Sequence, residues 1–207
     1  FGGVPRIWEK LKAGLEAMVA AQEDPEVKAK MEGAIEAAVS KVRLEQAGEP
    51  VPAELAAAVA AADEQLFAPL RAALGLDNVE LSVVGAAPTP REVLEFFTAI
   101  GVPPCELWGM SETAAVATTN TPDAMRIGTV GRAIPGVELR LADDGELFVK
   151  GANVMKGYRG QPEKTAECLS ADGWLATGDI AEIDADGYVR IVDRKKELII
   201  NAAGKNM

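Results

Sequence analysis

The sequence predicts an α/β protein: a parallel sheet with flanking helices, joined to a small antiparallel sheet or distorted β-barrel, and forming only part of a domain. Three observations carry this. Helical periodicity fills residues 1–75, a strand–helix–strand pattern covers 79–108, and the apolar period changes to two from about residue 128. These divide the chain into 1–127, a helical block with a parallel βαβ part; 128–192, a small β subdomain; and 193–207, a hinge and the start of a further C-terminal domain.

In the first block, Ile7, Leu11, Leu15 and Met18 share one helical face, and Val27, Met31, Ile35, Val39 and Val42 repeat the pattern. Asp24 and Pro25 supply an N-cap and an N1 proline for the second helix. Leu55, Val59, Ala62 and Leu66 mark a third, kinked or restarted at Pro69 and ended by Gly75. Nothing on these helices suggests a site. Residues 79–84 then read as a strand rich in β-branched side chains. Thr89 and Glu92 are spaced as a capping box for a helix that buries Val93, Leu94, Phe97 and Ile100 and closes at Gly101. Residues 104–108 are a second strand, so the connection implies a parallel βαβ unit. Ligands of such sheets lie beyond the carboxyl ends of the strands. Two segments fall there, Gly85-Ala86-Ala87-Pro88 and Gly109-Met110-Ser111-Glu112-Thr113. Further on, Val137, Leu139 and Leu141 alternate with polar residues. Asp144-Gly145, Asp172-Gly173 and Asp186-Gly187 are hairpin signals.

Bulk properties narrow the function. With 21 basic and 32 acidic residues the net charge is −11, which argues against a phosphate backbone or an anionic lipid surface as partner. No apolar run approaches the roughly 20 residues of a membrane span, and no signal-peptide pattern opens the chain. A cytoplasmic setting is expected, with peripheral attachment to membranes left open. Cys105 and Cys168 show neither metal-ligand nor disulfide spacing. Histidine is absent, so no His-based triad or metal cluster is available.

Four segments carry a more specific signal. They are Trp108-Gly109-Met110-Ser111-Glu112; Gly145-Glu146-Leu147 with Gly157-Tyr158 and Pro162-Glu163-Lys164-Thr165; Trp174 through Thr177-Gly178-Asp179; and Asp193-Arg194-Lys195-Lys196-Glu197-Leu198-Ile199. In that order they resemble the motif series of the acyl-adenylate-forming, AMP-binding superfamily. The long helical region before Gly85, the Val4-Pro5-Arg6 start and Glu95-Phe96-Phe97 look like long-chain fatty-acyl-CoA synthetases of the actinobacterial FadD type.

The resemblance implies ATP-dependent activation of a long-chain fatty acid to an acyl-adenylate, followed by thioester formation with CoA. ATP, Mg²⁺, fatty acid and CoA would be the partners. Gly85, Ala86, Ala87 and Pro88 would form a small-residue loop binding adenine through the backbone. Trp108, where the family usually has Tyr, would offer a face for adenine, worth about 1–3 kcal/mol by analogy with base stacking. Gly109 would let the backbone approach, and Met110 and Ser111 would continue the nucleotide site, with Ser111 donating to the α-phosphate. Ser111 and Glu112 would be the catalytic pair, Glu112 as the Mg²⁺ ligand. Asp179 would accept hydrogen bonds from the ribose hydroxyls, Arg194 and Lys196 would reach ribose or phosphate, and Asp193 would be the pivot of a swinging C-terminal domain.

Plainer readings stand beside these. Trp108 could be a core aromatic ending a strand, Ser111 a helix N-cap, Gly85–Pro88 a simple turn, and the 193–197 run a solvated face. The Asp184–Gly187 segment lacks the other ligands of a calcium loop and is a hairpin turn. A fatty-acyl-AMP ligase loading a carrier protein is the alternative activity; a non-catalytic nucleotide-binding module and a luciferase-like oxygenase share the same motifs. Both ends read as cuts inside a longer protein. The family's phosphate loop would precede Phe1 and its adenylation lysine would follow Met207, so the segment alone is expected to have little ligase activity.

Overall fold

The computed structural model describes residues 1–195. They form two compact units: 1–106 with 121–127, and 107–120 with the chain from 128 onward.

In the first unit, β1 (Gly2–Gly3) leads into α1 (Pro5–Ala20), α2 (Pro25–Ala47), α3 (Ala53–Ala62) and α4 (Ala68–Ala73). Asp24 caps α2 as expected, accepting hydrogen bonds from the backbone N–H groups of Glu26 and Val27, and Gly48 ends it in the left-handed region. Between α3 and α4 the chain makes a π-turn, Asp63–Phe67. It lies just upstream of Pro69, whose ring displaces the carbonyl four residues earlier and which has no N–H to give. The sequence puts the irregularity at Pro69; the structure puts it one turn before, where the helix re-registers. The buried stripe of α1 also differs from expectation. Trp8, Leu15 and Val19 are buried, while Ile7 and Met18 are 44% and 48% exposed. Both sets have helical spacing; the set containing the indole has the larger apolar area to remove from water.

The strand expected over 79–84 shortens to β2 (Ser82–Val84), leaving Leu81 exposed. Next comes α5 (Arg91–Ala99), but the expected capping box does not form. Pro90 occupies the N-cap position, so Thr89 and Glu92 each fall one place out of the spacing the box needs, and the buried Thr89 hydroxyl has no partner among the described residues. Gly101 then turns at φ +82° beside the Arg71 guanidinium. β3 (Pro104–Trp108) follows and pairs in parallel with β2, as the strand–helix–strand pattern predicts, while β1, in a stretch read as helical, adds a third parallel strand beside β2. The core is built on Trp8, Phe67, Leu94, Phe97 and Ile100, with the Trp8 and Phe97 rings edge-to-face at 4.8 Å.

One charge lies in this apolar setting. Glu95 is 3% exposed and paired with Arg43 at 2.8 Å and Arg91 at 2.7 Å. Burial pushes its carboxyl up, but the Arg91 and Arg43 guanidiniums more than offset that, holding it below its ordinary 4.5. Its contribution to stability is therefore complete above the ordinary glutamate range and is lost as the pH falls through the lowered folded value. Glu95→Gln is expected to cost about 1–2 kcal/mol at neutral pH, because charged hydrogen bonds become neutral ones. Denaturant midpoints measured at several pH values check this: the difference between the proteins should shrink in acid, and a constant difference would refute it.

In the second unit, the last two residues of β3 pair antiparallel with β4 (Thr118–Thr119), and β4 with β5 (Arg132–Ala133). A second antiparallel sheet runs β6 (Val137–Leu141), β7 (Glu146–Gly151), β8 (Leu175–Ile183) and β9 (Val189–Arg194), with α6 (Pro162–Cys168) preceding β8. Gly145, Gly173 and Gly187 turn at φ +84°, +89° and +84°, as their Asp-Gly signals predict. The α/β class, with parallel and small antiparallel sheets, is as expected. Among the described residues no helix is long and apolar enough to cross a membrane.

Candidate active site

The second unit holds most of the predicted site residues on three elements: the turn after β3, the middle of β8 and the end of β9. Asp179 links Trp108 to Arg194. It is 2% exposed, its Oδ2 accepts a 2.9 Å hydrogen bond from the Trp108 indole N–H, and its Oδ1 lies 2.6 Å from Arg194 Nε. Oδ1 is inaccessible to solvent and, among the described residues, is engaged by the Arg194 ion pair and by no directed hydrogen bond. Arg194 sits directly opposite Asp179 across β8 and β9, with its side chain 59% exposed.

The Thr177-Gly178-Asp179 segment explains how a strand can offer an inward carboxylate here. Burial alternates regularly through β8, with Leu175, Thr177, Asp179 and Ala181 on the buried face, and Gly178 adopts φ +73° between them, where the pairing with β7 is irregular. The Thr177 hydroxyl locks the distortion, donating to the Leu147 carbonyl at 2.7 Å and accepting from the Asp179 N–H at 3.1 Å. Glu146 accepts the Gly178 N–H at 2.9 Å. Lys195 completes the clamp. Its ammonium lies 2.7 Å from Asp144 and 2.6 Å from Glu146, and its backbone N–H donates to the Gly178 carbonyl. The two carboxylates, Asp144 first, raise the Lys195 pKa, and Lys195 in turn holds Asp144 below its ordinary value.

After β3 the chain makes a 3₁₀ turn, Ser111–Thr113. Ser111 is its first residue, not its N-cap, a position taken by Met110 in extended backbone. A single turn has no macrodipole to bind an anion, so the expected helix N-terminus is not available. The Met110 N–H instead bonds the Thr113 hydroxyl at 3.0 Å. Ala114 and Ala115 follow with φ +52° and +81°, a strained pair for residues with a Cβ. Asn153 holds this loop by donating to the Thr113 and Val116 carbonyls. Gly109 has a steric role beyond the one read from sequence: a Cβ there would stand 2.3 Å from the Ala115 carbonyl oxygen.

Glu112 is half-buried, and its carboxylate accepts the Tyr158 phenol O–H at 2.7 Å. That bond to the anion raises the Tyr158 pKa to about 12. Among the described residues no group of three or more acidic or sulfur ligands forms a closed metal cage. A lone half-exposed carboxylate suits Mg²⁺, which takes one or two carboxylates and completes its shell with phosphates and water.

Trp108 is half-buried and packs on the small core of Leu147, Ala181 and Val189. It is therefore both a core aromatic and a neighbour of Asp179. Ser111 is exposed. The Asp193 carboxylate accepts the Arg194 N–H at 2.7 Å. Gly85, Ala86, Ala87 and Pro88 belong to the first unit, where they form a largely exposed turn after β2 with Ala86 at φ +72°. Lys196 lies outside the described residues. Sequence reasoning missed Thr177 as a lock, Lys195 as a clamp and Tyr158 as the partner of Glu112. Each lay inside a recognised segment, but its partner is distant in sequence.

A family model described as AMP-binding enzyme matches residues 1–159. Among curated proteins, the whole chain aligns at 51% identity with a Mycobacterium tuberculosis protein named as fatty-acid–CoA ligase fadD11, spanning 36% of that protein's length. It aligns at 36% identity with long-chain-fatty-acid–CoA ligase ACSBG2 of Xenopus laevis, again over the whole chain and over 28% of that protein. Among solved structures, ATP-bound MatB from Rhodopseudomonas palustris superposes with a TM-score of 0.56 at 38% identity, covering 60% of this chain and 27% of that one.

Proposed function

Because the chain belongs to the AMP-binding enzyme family, we propose that it supplies the ribose, adenine and metal contacts of a ligase that activates a long-chain fatty acid with ATP and transfers it to CoA. The observation that carries this is Asp179: a buried carboxylate held between the Trp108 indole N–H and the Arg194 guanidinium. The kinship to long-chain-fatty-acid–CoA ligases supports the substrate class.

In the first step the fatty carboxylate attacks the α-phosphorus of ATP and pyrophosphate leaves, giving the acyl-adenylate. In the second the CoA thiol attacks the acyl carbon and AMP leaves. The chain's own groups bind and orient. Asp179 accepts the ribose hydroxyls, and its bond to Trp108 fixes the indole edge so that a ring face is presented to adenine. Arg194, tethered to Asp179 and largely exposed, reaches towards ribose or phosphate, and the exposed Ser111 hydroxyl donates to the α-phosphate. Glu112 would hold Mg²⁺, which supplies charge neutralisation at the phosphoryl oxygens. Asp193, bonded to the backbone of Arg194, is the proposed pivot.

The test is AMP release by the intact protein across a series of acyl chain lengths, with CoA and an acyl carrier protein as competing acceptors. With CoA, kcat/KM should climb about fourfold per added methylene until the pocket ends, since each buried CH₂ is worth about 0.8 kcal/mol. Chain-length indifference or CoA-independent turnover would contradict the proposal.

A further inference from the structure

We infer that Tyr158 is a positioning residue for Glu112, holding its carboxylate in the one orientation from which it can take a divalent cation; this rests on the reading of Glu112 as the metal ligand. The segment 155–158 grips Glu112 twice. The Met155 N–H donates to the Glu112 carbonyl at 2.7 Å, and the Tyr158 hydroxyl donates to Glu112 Oε1 at 2.7 Å. The phenol occupies part of Oε1, so Oε2 is the oxygen left to face a cation, and the carboxylate cannot rotate without breaking a charge-assisted bond.

Tyr158 is itself held firmly, although its side chain reaches the surface. Its N–H donates to the Thr165 hydroxyl at 2.9 Å, which in turn donates to the Gln161 carbonyl at 3.0 Å. Its carbonyl accepts the Gln161 N–H at 3.1 Å. Gly157 turns at φ +142°, and a Cβ there would come within 2.8 Å of Thr165. The order therefore runs from α6 through Thr165 to Tyr158 and on to Glu112. Asn153 and the Met110–Thr113 bonds pin the backbone of the turn, and Tyr158 adds the hold on the Glu112 side chain.

Outer-shell partners that orient a ligand typically matter by about 10–100-fold in metal affinity. The test compares wild type, Tyr158→Phe and Glu112→Gln in the intact protein. Mn²⁺ binding in the presence of ATP is followed by electron paramagnetic resonance, and the Mg²⁺ dependence of ATP–pyrophosphate exchange is measured in parallel. For Tyr158→Phe, Mn²⁺ affinity should fall about 10-fold or more, with the Mg²⁺ requirement rising alike and kcat at saturating Mg²⁺ within about threefold of wild type. Phe keeps the ring, so thermal unfolding should be nearly unchanged. If Glu112→Gln weakens Mn²⁺ binding and Tyr158→Phe does not, the positioning role is wrong and the metal assignment survives. If neither variant alters Mn²⁺ binding, both fall together.

Discussion

Replacing Glu112 with Gln in the intact protein is expected to slow fatty-acid-dependent ATP–pyrophosphate exchange by about 10²–10³-fold, the size of effect seen when one preorganised electrostatic contact to a developing oxyanion is removed. Gln keeps the side-chain length and still accepts the Tyr158 hydroxyl, so the loop held by Asn153 and Met155 should remain in place. The loss should fall mainly on kcat, because charge on the phosphoryl oxygens grows towards the transition state. Raising the metal concentration should recover little of it. Exchange within about threefold of wild type would remove Glu112 from the chemistry.

Asp179 is expected to act on the other side of the bargain, in nucleotide binding. A hydrogen bond to a charged group contributes about 1.5–3 kcal/mol, so losing contacts to two ribose hydroxyls should reduce kcat/KM for ATP by about 10²–10⁴-fold. Asp179→Ala also leaves the Trp108 N–H without its acceptor, which weakens the fold as well as the site. Asp179→Asn separates the two effects, since the amide oxygen still accepts from the indole while the charge opposite Arg194 is gone. Deoxy analogues supply the specific signature. Wild type should discriminate against 2′-deoxy- and 3′-deoxy-ATP by about 10-fold or more each, and the Asp179 variants should be nearly blind to the missing hydroxyl. Equal discrimination in all three proteins would place the ribose elsewhere.

How much of this could be read from the sequence depends on the range of the interaction. Local rules worked where the partners are a few residues apart. Asp24 and Pro25 open α2, and each Asp-Gly pair turns as its chemistry requires. They failed where two local rules competed. Pro90 took the cap position that the Thr89–Glu92 spacing reserves for threonine, and Trp8 outweighed Ile7 and Met18 in setting the buried face of α1.

The site was legible as residue types and not as geometry. Three of the four segments mark Trp108, Glu112, Asp179 and Arg194, but Trp108 and Asp179 are 71 positions apart, and Tyr158 and Glu112 are 46 apart. No periodicity encodes such pairings. The role of Gly109 shows the same limit: its contact with the Ala115 carbonyl depends on a backbone path that only the fold defines. Lys195 was legible only as part of the 193–199 segment, and its pairing with Asp144 and Glu146 appears once the chain leaves β9.

The central claim is that the buried Asp179 carboxylate, steadied by Trp108 and Arg194, binds the sugar of an adenylate. Titration calorimetry of the intact protein with a non-hydrolysable fatty-acyl-adenylate analogue tests it most directly. Saturable one-to-one binding by wild type, weakened at least 100-fold in Asp179→Asn, is the predicted result, a loss of about 2.7 kcal/mol. Equal affinity in the two proteins would contradict it.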